Sequence, residues 1–117
     1  MQLYNKLSAQ EAADILDQSK KDRVTLSFYK YAHIKNPKLF RDHLFLSWDR
    51  LGILGRIYVA HEGINAQLSL PSEKFSSFKD HLNTISFLKD VRINVAVEHY
   101  KKSFLKLTIK VRKKIVA

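Results

Sequence analysis

No cysteine occurs among the 117 residues, and glycine and proline are scarce, with three and two copies. The lack of cysteine excludes disulfides, thiolate metal sites and cysteine nucleophiles within these residues. No apolar run approaches the roughly 20 residues that a membrane-spanning helix needs, and the start has no long apolar segment of a secretory signal. We therefore expect a cytoplasmic protein with no membrane partner.

Acidic residues are also few: 11 Asp and Glu stand against 21 Lys and Arg, which gives a net charge of +10. An excess of this size indicates an anionic partner, namely a nucleic acid, an acidic membrane or an acidic protein. The 45% hydrophobic fraction is typical of a globular chain. The length predicts a single domain over residues 1–117.

The hydrophobic pattern predicts a leading helix followed by strand, helix, strand, strand, helix, strand and strand. Ser8 and Glu11 form a capping box for the leading helix, and Asn36 with Pro37 forms the start of the next one. The predicted helices cover 8–18, 37–51 and 71–85. The predicted strands cover 24–29, 56–60, 66–70, 91–97 and 105–112, with a turn at 62–65 between the second and the third.

After the leading helix, this order is that of an α+β ferredoxin-like (acylphosphatase-like) βαββαβ sandwich with an extra C-terminal strand. Two helices then cover one side of a mostly antiparallel sheet, and the other side stays open. Acylphosphatases use a glycine-rich phosphate loop after the first strand, and residues 30–37 contain no glycine. Acylphosphatase activity is therefore not expected.

The strand alternation assigns one set of side chains to the side of the sheet away from the helices, which we call the open face. This set contains five cations, two tyrosines and no acid: Thr25, Ser27, Tyr29, Arg56, Tyr58, Gln67, Ser69, Arg92, Asn94, Lys106, Thr108, Lys110 and Arg112. Aromatic rings flanked by cations on a sheet are suited to single-stranded nucleic acid, because bases stack on the rings and cations pair with phosphates. The alternative is that the tyrosines pack across strands and the lysines protect the sheet from aggregation.

No residue pattern indicates catalysis, a cofactor or a metal site. The five histidines are dispersed, with no pair at the i, i+4 spacing of a helical metal site. His61 and Glu62 could form an acid–base pair, but turn polarity plus a hydrogen bond explains them better. We expect no catalytic residue, no cofactor and no metal.

Three segments resemble the rhodanese-domain tRNA uridine hydroxylase family: 26–31, 110–117 and, as the most specific, 55–69, which reads GRIYVAHEGINAQLS. The resemblance implies an N-terminal ferredoxin-like domain of a longer oxidoreductase that acts in tRNA modification. That enzyme would use molecular oxygen to convert the wobble uridine to 5-hydroxyuridine. Its catalytic cysteine belongs to a rhodanese domain that these residues do not include.

The resemblance and the open face together predict a domain that binds the anticodon region of tRNA while the rhodanese domain carries out the chemistry. The expected RNA-binding residues are Tyr29, Arg56, Tyr58, Arg92, Lys106, Lys110 and Arg112. The residues expected to contact the rhodanese domain are His61, Glu62 and Asn65. The alternative is a protein-interaction domain that docks and positions the rhodanese domain without binding RNA.

Overall fold

A computed structural model describes residues 23–96 and 104–116. Its strands are β1 (Arg23–Tyr31), β2 (Leu54–Ala60), β3 (Gly63–Pro71), β4 (Asn94–Val95) and β5 (Leu107–Val111), and its α-helices are α1 (Pro37–Arg50) and α2 (Phe75–Asn83). Short 3₁₀ turns occupy Ser72–Lys74 and Ser86–Leu88. The predicted leading helix at 8–18 lies outside the described residues.

The five strands form one sheet in the order β4-β1-β3-β2-β5. The first four strands pair antiparallel, and β5 runs parallel to β2 at the edge. This order is the predicted ferredoxin-like arrangement with an extra C-terminal strand, and the structure adds that this strand lies beside β2. The longest ladder joins β1 to β3 from Arg23↔Pro71 to Tyr31↔Gly63, so these two strands form the centre of the sheet.

Local sequence fixes both ends of α1. The side chain of Asn36 accepts a hydrogen bond from the Leu39 amide at 3.1 Å, and Pro37 occupies the first turn, where its missing N–H is not needed. Gly52 follows the helix with φ +73°, a left-handed conformation that glycine adopts readily. Neither helix in the described ranges is long and apolar enough to cross a membrane.

The core lies between the sheet and the two helices. The strands supply the alternating residues that the sequence assigns to this side, and Leu26, Phe28, Ile57, Val59, Leu107 and Ile109 are all buried. Trp48 of α1 and Phe78 of α2 are fully buried and pack edge-on against each other, with ring centroids 5.5 Å apart. The face assignment for β1, β2 and β5 is therefore confirmed.

The hairpin turn differs from the prediction at 62–65. Ala60 pairs with Gly63, so the turn contains only His61 and Glu62, and the next three residues belong to β3. Gly63 permits this pairing because a Cβ at that position would collide with the Lys30 carbonyl oxygen of the neighbouring strand. An apolar-polar pattern cannot reveal such a backbone contact, which explains why the predicted turn was too long.

The predicted strand at 91–97 is also wrong in its extent. Asn94 and Val95 form the two-residue strand, and the Ala96 amide donates to the Thr25 carbonyl of β1 at 2.8 Å. Residues 91–93 are irregular, and 97 lies outside the described residues. Val95 shares the register position of Leu26 but is 49% exposed, because β4 is a two-residue edge strand with little packed over it. The predicted helix at 71–85 is shorter in the structure. Its first residues form the 3₁₀ turn Ser72–Lys74, and α2 covers only Phe75–Asn83.

Candidate nucleic-acid interface

One row of the open face crosses four strands and alternates rings with polar groups. Tyr29 pairs with Asn65, Asn65 pairs with Tyr58, and Tyr58 pairs with Lys110. Residues paired in this way project from the same side of a sheet about 5 Å apart. The row therefore presents two tyrosines and a lysine along a line perpendicular to the strands.

Two aromatic contacts shape this end of the open face. Tyr29 and Tyr31 lie edge to face with centroids 6.2 Å apart, and they are 51% and 53% exposed. The Arg112 guanidinium lies over the Tyr58 ring, 5.4 Å from its centroid. A cation–π contact of this kind positions the guanidinium beside the ring while leaving donors for an anion.

The next row of the open face carries a central cation. It runs from Asn94 through Ser27, Gln67 and Arg56 to Thr108. Arg56 is exposed, and the described strand positions on this side of the sheet include no acidic residue. Arg56, Lys110 and Arg112 therefore give the described part of this face a positive charge.

The structure places five of the seven predicted RNA-binding residues together: Tyr29, Arg56, Tyr58 and Lys110 lie on β1, β2 and β5, and Arg112 immediately follows β5. Lys106 is exposed and immediately precedes β5, and its backbone carbonyl accepts from the Gly55 amide at 2.9 Å. Arg92 is exposed but lies in the irregular segment before β4, so strand geometry does not place it on the open face.

The three residues predicted to contact a second domain have partners within this chain. His61 Nδ1 lies 2.9 Å from the Ile34 carbonyl oxygen. Glu62 Oε1 accepts from the Ile115 amide at 2.7 Å, and Asn65 Nδ2 donates to the Val116 carbonyl. Glu62 and Asn65 thus hold residues 112–116, which we call the C-terminal strap, against the β2–β3 hairpin.

Besides Asn65, which was predicted to lie in the turn, sequence reasoning missed two residues of the open face, Arg23 and Tyr31. Both have the same strand parity as Tyr29, but the predicted strand covered only 24–29 and left them out. Arg23 Nη2 donates to the carbonyls of Gly52 at 2.6 Å and Ser69 at 3.0 Å, and Nε donates to Ser69 Oγ at 3.3 Å. Burial lowers the pKa of the Arg23 guanidinium, which nevertheless stays protonated near neutral pH.

A second polar cluster lies in the helix layer, on the other side of the sheet. Trp48 Nε1 donates to His81 Nδ1 at 3.0 Å, and His81 Nε2 lies 3.4 Å from His43 Nε2. The two histidines come from different helices, so sequence spacing could not pair them. Across 23–96 and 104–116, no group of three or more His, Asp or Glu side chains could hold a metal ion.

Comparison with known proteins gives a family match over residues 23–115, to the family described as UPF0176 acylphosphatase like domain. The chain is 49% identical over 102 residues to a tRNA uridine(34) hydroxylase of Leptospira interrogans, covering 87% of this chain and 28% of that protein. Proteins of the same name from Hamiltonella defensa and Enterobacter sp. are 43% and 42% identical over 116 residues, covering 98% of this chain and 33% of each relative.

The chain therefore spans about a third of the length of these curated relatives. A solved structure described as BlrP1 BLUF aligns with a TM-score of 0.47 at 14% identity, over 79% of this chain and 65% of that one.

Proposed function

Because the chain belongs to the UPF0176 acylphosphatase-like domain family, we propose that it is the tRNA-binding N-terminal domain of a wobble-uridine hydroxylase. The relatives are named for action on tRNA uridine 34, and they are about three times as long as this chain. Catalysis in this proposal belongs to the rest of the longer protein, a rhodanese domain by resemblance. The described residues of this chain supply binding.

The observation that carries the proposal is the composition of the open face. Tyr29 and Tyr31 offer half-exposed ring surfaces, and Arg112 lies over the ring of Tyr58. Arg56 and Lys110 lie near them without a neighbouring carboxylate on the described strand positions. Stacking of a base on an aromatic side chain contributes about 1–3 kcal/mol, and each cation that pairs with a phosphate releases counterions. Unpaired nucleotides, as in an anticodon loop, are the RNA that such a surface accommodates.

We expect a duplex to suit this face less well. The bases of an A-form duplex are stacked on each other inside the helix, so the tyrosine rings have no free base to stack on. The cations contact phosphates in either case. We therefore expect an anticodon stem-loop to bind more tightly than a duplex of equal charge, with the difference arising from the rings.

The experiment is a titration of the chain with an anticodon stem-loop and with a matched duplex over a series of salt concentrations. The test variant is Arg56→Gln/Lys110→Gln on the open face. The control is Arg50→Gln/Lys89→Gln, which removes the same charges from exposed positions at the end of α1 and after α2. The test variant should flatten the salt slope by ~0.7–0.9 for each lost phosphate contact. Equal slopes in the two variants would contradict the proposal.

A second candidate function is docking of the rest of the longer protein, and the C-terminal strap favours it. Glu62 and Asn65 fix residues 115 and 116 beside the open face, so whatever follows starts from a defined position. Calorimetry of this chain with the separately produced remainder of a relative would test this candidate. Docking without RNA binding predicts that Asn65→Ala weakens that association and leaves affinity for tRNA unchanged.

A further inference from the structure

Arg23 lies at the end of the open face farthest from the tyrosines. It begins β1, six residues before Tyr29, which corresponds to about 20 Å along the strand at ~3.4 Å per residue. Its pairing partner is Pro71, at the opposite end of β3 from the hairpin. The open face thus has an aromatic end at the hairpin and an arginine at the other end.

Neutral acceptors hold the Arg23 guanidinium in a fixed position. Nη2 bonds to two backbone carbonyls, those of Gly52 and Ser69, and Nε bonds to the Ser69 hydroxyl. None of these acceptors carries a charge, so they orient the guanidinium without neutralising it. The side-chain entropy that an arginine loses on binding a ligand has therefore been lost already in the folded chain.

The remaining N–H donors of Arg23 are the two on Nη1. Nη1 has no hydrogen-bond partner in the part of the chain that the structure describes. Arg23 itself is half-buried, and no side-chain nitrogen or oxygen in the same part of the chain is both buried and without a partner. A positioned guanidinium with free N–H groups and no carboxylate partner matches the requirements of a phosphate oxygen.

We propose that Arg23 is a phosphate anchor, which binds the backbone of an RNA strand whose bases stack on Tyr29 and Tyr31. The inference rests on the proposed function and adds to it a path for the RNA. The strand runs along β1 from the aromatic end towards Gly52, crossing the neutral side chains of Ser27 and Thr25. A distance of about 20 Å requires a segment of several nucleotides, within the range of single-stranded binding sites.

The competing explanation is that Arg23 has only a structural role, in which its hydrogen bonds connect the Gly52 loop to β3. The two roles separate in a titration with an unpaired RNA of about twelve nucleotides over a salt series. As an anchor, Arg23→Gln lowers affinity about tenfold at low salt and flattens the salt slope by ~0.7. Arg50→Gln, the matched control on α1, changes affinity by less than about twofold.

Two further variants keep the test valid if Arg23→Gln folds poorly. Arg23→Lys keeps the charge, but a lysine ammonium cannot bond to the two carbonyls and to a phosphate at the same time. Affinity for the RNA therefore falls while the salt slope is retained. Ser69→Ala removes one neutral acceptor and should lower thermal stability without changing the slope. A wild-type salt slope in Arg23→Gln, together with a lower melting temperature, would show that the role of Arg23 is only structural and would contradict its role as a phosphate anchor.

The outcome also separates this inference from the function on which it rests. If Arg56→Gln/Lys110→Gln weakens binding and Arg23→Gln does not, the anchor is wrong and the open face still binds RNA. If the unsubstituted chain does not bind the unpaired RNA in a salt-dependent manner, both proposals fail.

Discussion

Trp48 determines which nitrogen of His81 carries the proton. An indole N–H can only donate, so His81 Nδ1 must accept from it, and the neutral His81 ring carries its proton on Nε2. That proton points at His43 Nε2, which therefore accepts, and the His43 ring is protonated on Nδ1. A metal ion bound to both Nε2 atoms would put a proton on His81 Nδ1, facing the Trp48 donor. This arrangement therefore favours a histidine–histidine hydrogen bond over a metal site.

This arrangement predicts a loss of stability in mild acid. Burial, and then the charge of His43, lower the pKa of His81 below its ordinary value of 6.5. The unfolded chain therefore binds a proton on this histidine at a higher pH than the folded chain does. The free energy of unfolding should fall as the pH drops below 6.5, until the lower pKa of the folded state has been passed. Urea denaturation at a series of pH values measures it.

The matched control is His33, which is exposed and for which no contact with Trp48 is recorded. His81→Gln should flatten the acid dependence, and His33→Gln should leave it as in the unsubstituted chain. An unchanged profile in His81→Gln would assign the acid sensitivity to other groups.

At the scale of elements, the Glu62 carboxylate is one of the two side chains that hold the C-terminal strap. Glu62 accepts from the Ile115 amide, Ile115 is buried, and Arg112 lies over Tyr58. Glu62→Ala removes the acceptor, and we expect the Ile115 amide to exchange with solvent about tenfold faster. Amide hydrogen exchange followed by NMR gives the rate directly.

Glu73→Ala is the control for the strap, because Glu73 is an exposed carboxylate in a 3₁₀ turn and has no hydrogen bond to the strap. If the Ile115 amide exchanges equally fast in both variants, Glu62 does not hold the strap. A change confined to Glu62→Ala that also alters exchange at Tyr58 would show that the strap and the open face are coupled.

Patterns within an element were readable from the sequence. Alternation located β1 and β5, and the Asn36–Pro37 pair located the start of α1. The predictions that were wrong concern features that depend on contacts between elements. The two-residue turn follows from the close approach of Gly63 to Lys30, and the shortness of β4 follows from its place at the edge. The same distinction holds for the candidate site. Strand alternation was sufficient to predict that Tyr29 and Arg56 lie on the open face, whereas the contact between His43 and His81 depends on how the two helices pack.

At the scale of the whole molecule, the sheet separates two optical reporters. Trp48 is fully buried under the helices, whereas Tyr29 and Tyr31 are half-exposed on the opposite side. If RNA bases stack on the tyrosines, binding should quench tyrosine emission and leave the emission of Trp48 nearly unchanged. Fluorescence titration with unpaired RNA tests which side of the molecule is occupied. Trp48 is excited alone at the red edge of its absorption band, and tyrosine emission is read at its own shorter wavelengths.

The Tyr29→Ala/Tyr31→Ala variant is the control for this titration, and it should lose most of the quenching along with part of the affinity. A large change in Trp48 emission would instead locate the RNA on the helix layer. That result would contradict the use of the open face for binding.

The parallel pairing of β5 with β2 has a consequence for biosynthesis. A ribosome makes β2 about fifty residues before β5, since the ladder joins Gly55 to Leu107 and Val59 to Val111. The other four strands can pair with one another first, and during that interval the outer edge of β2 has unmatched amide and carbonyl groups. An uncovered edge is where one chain can add to another, so nascent or truncated chains that lack β5 should self-associate where the finished chain does not.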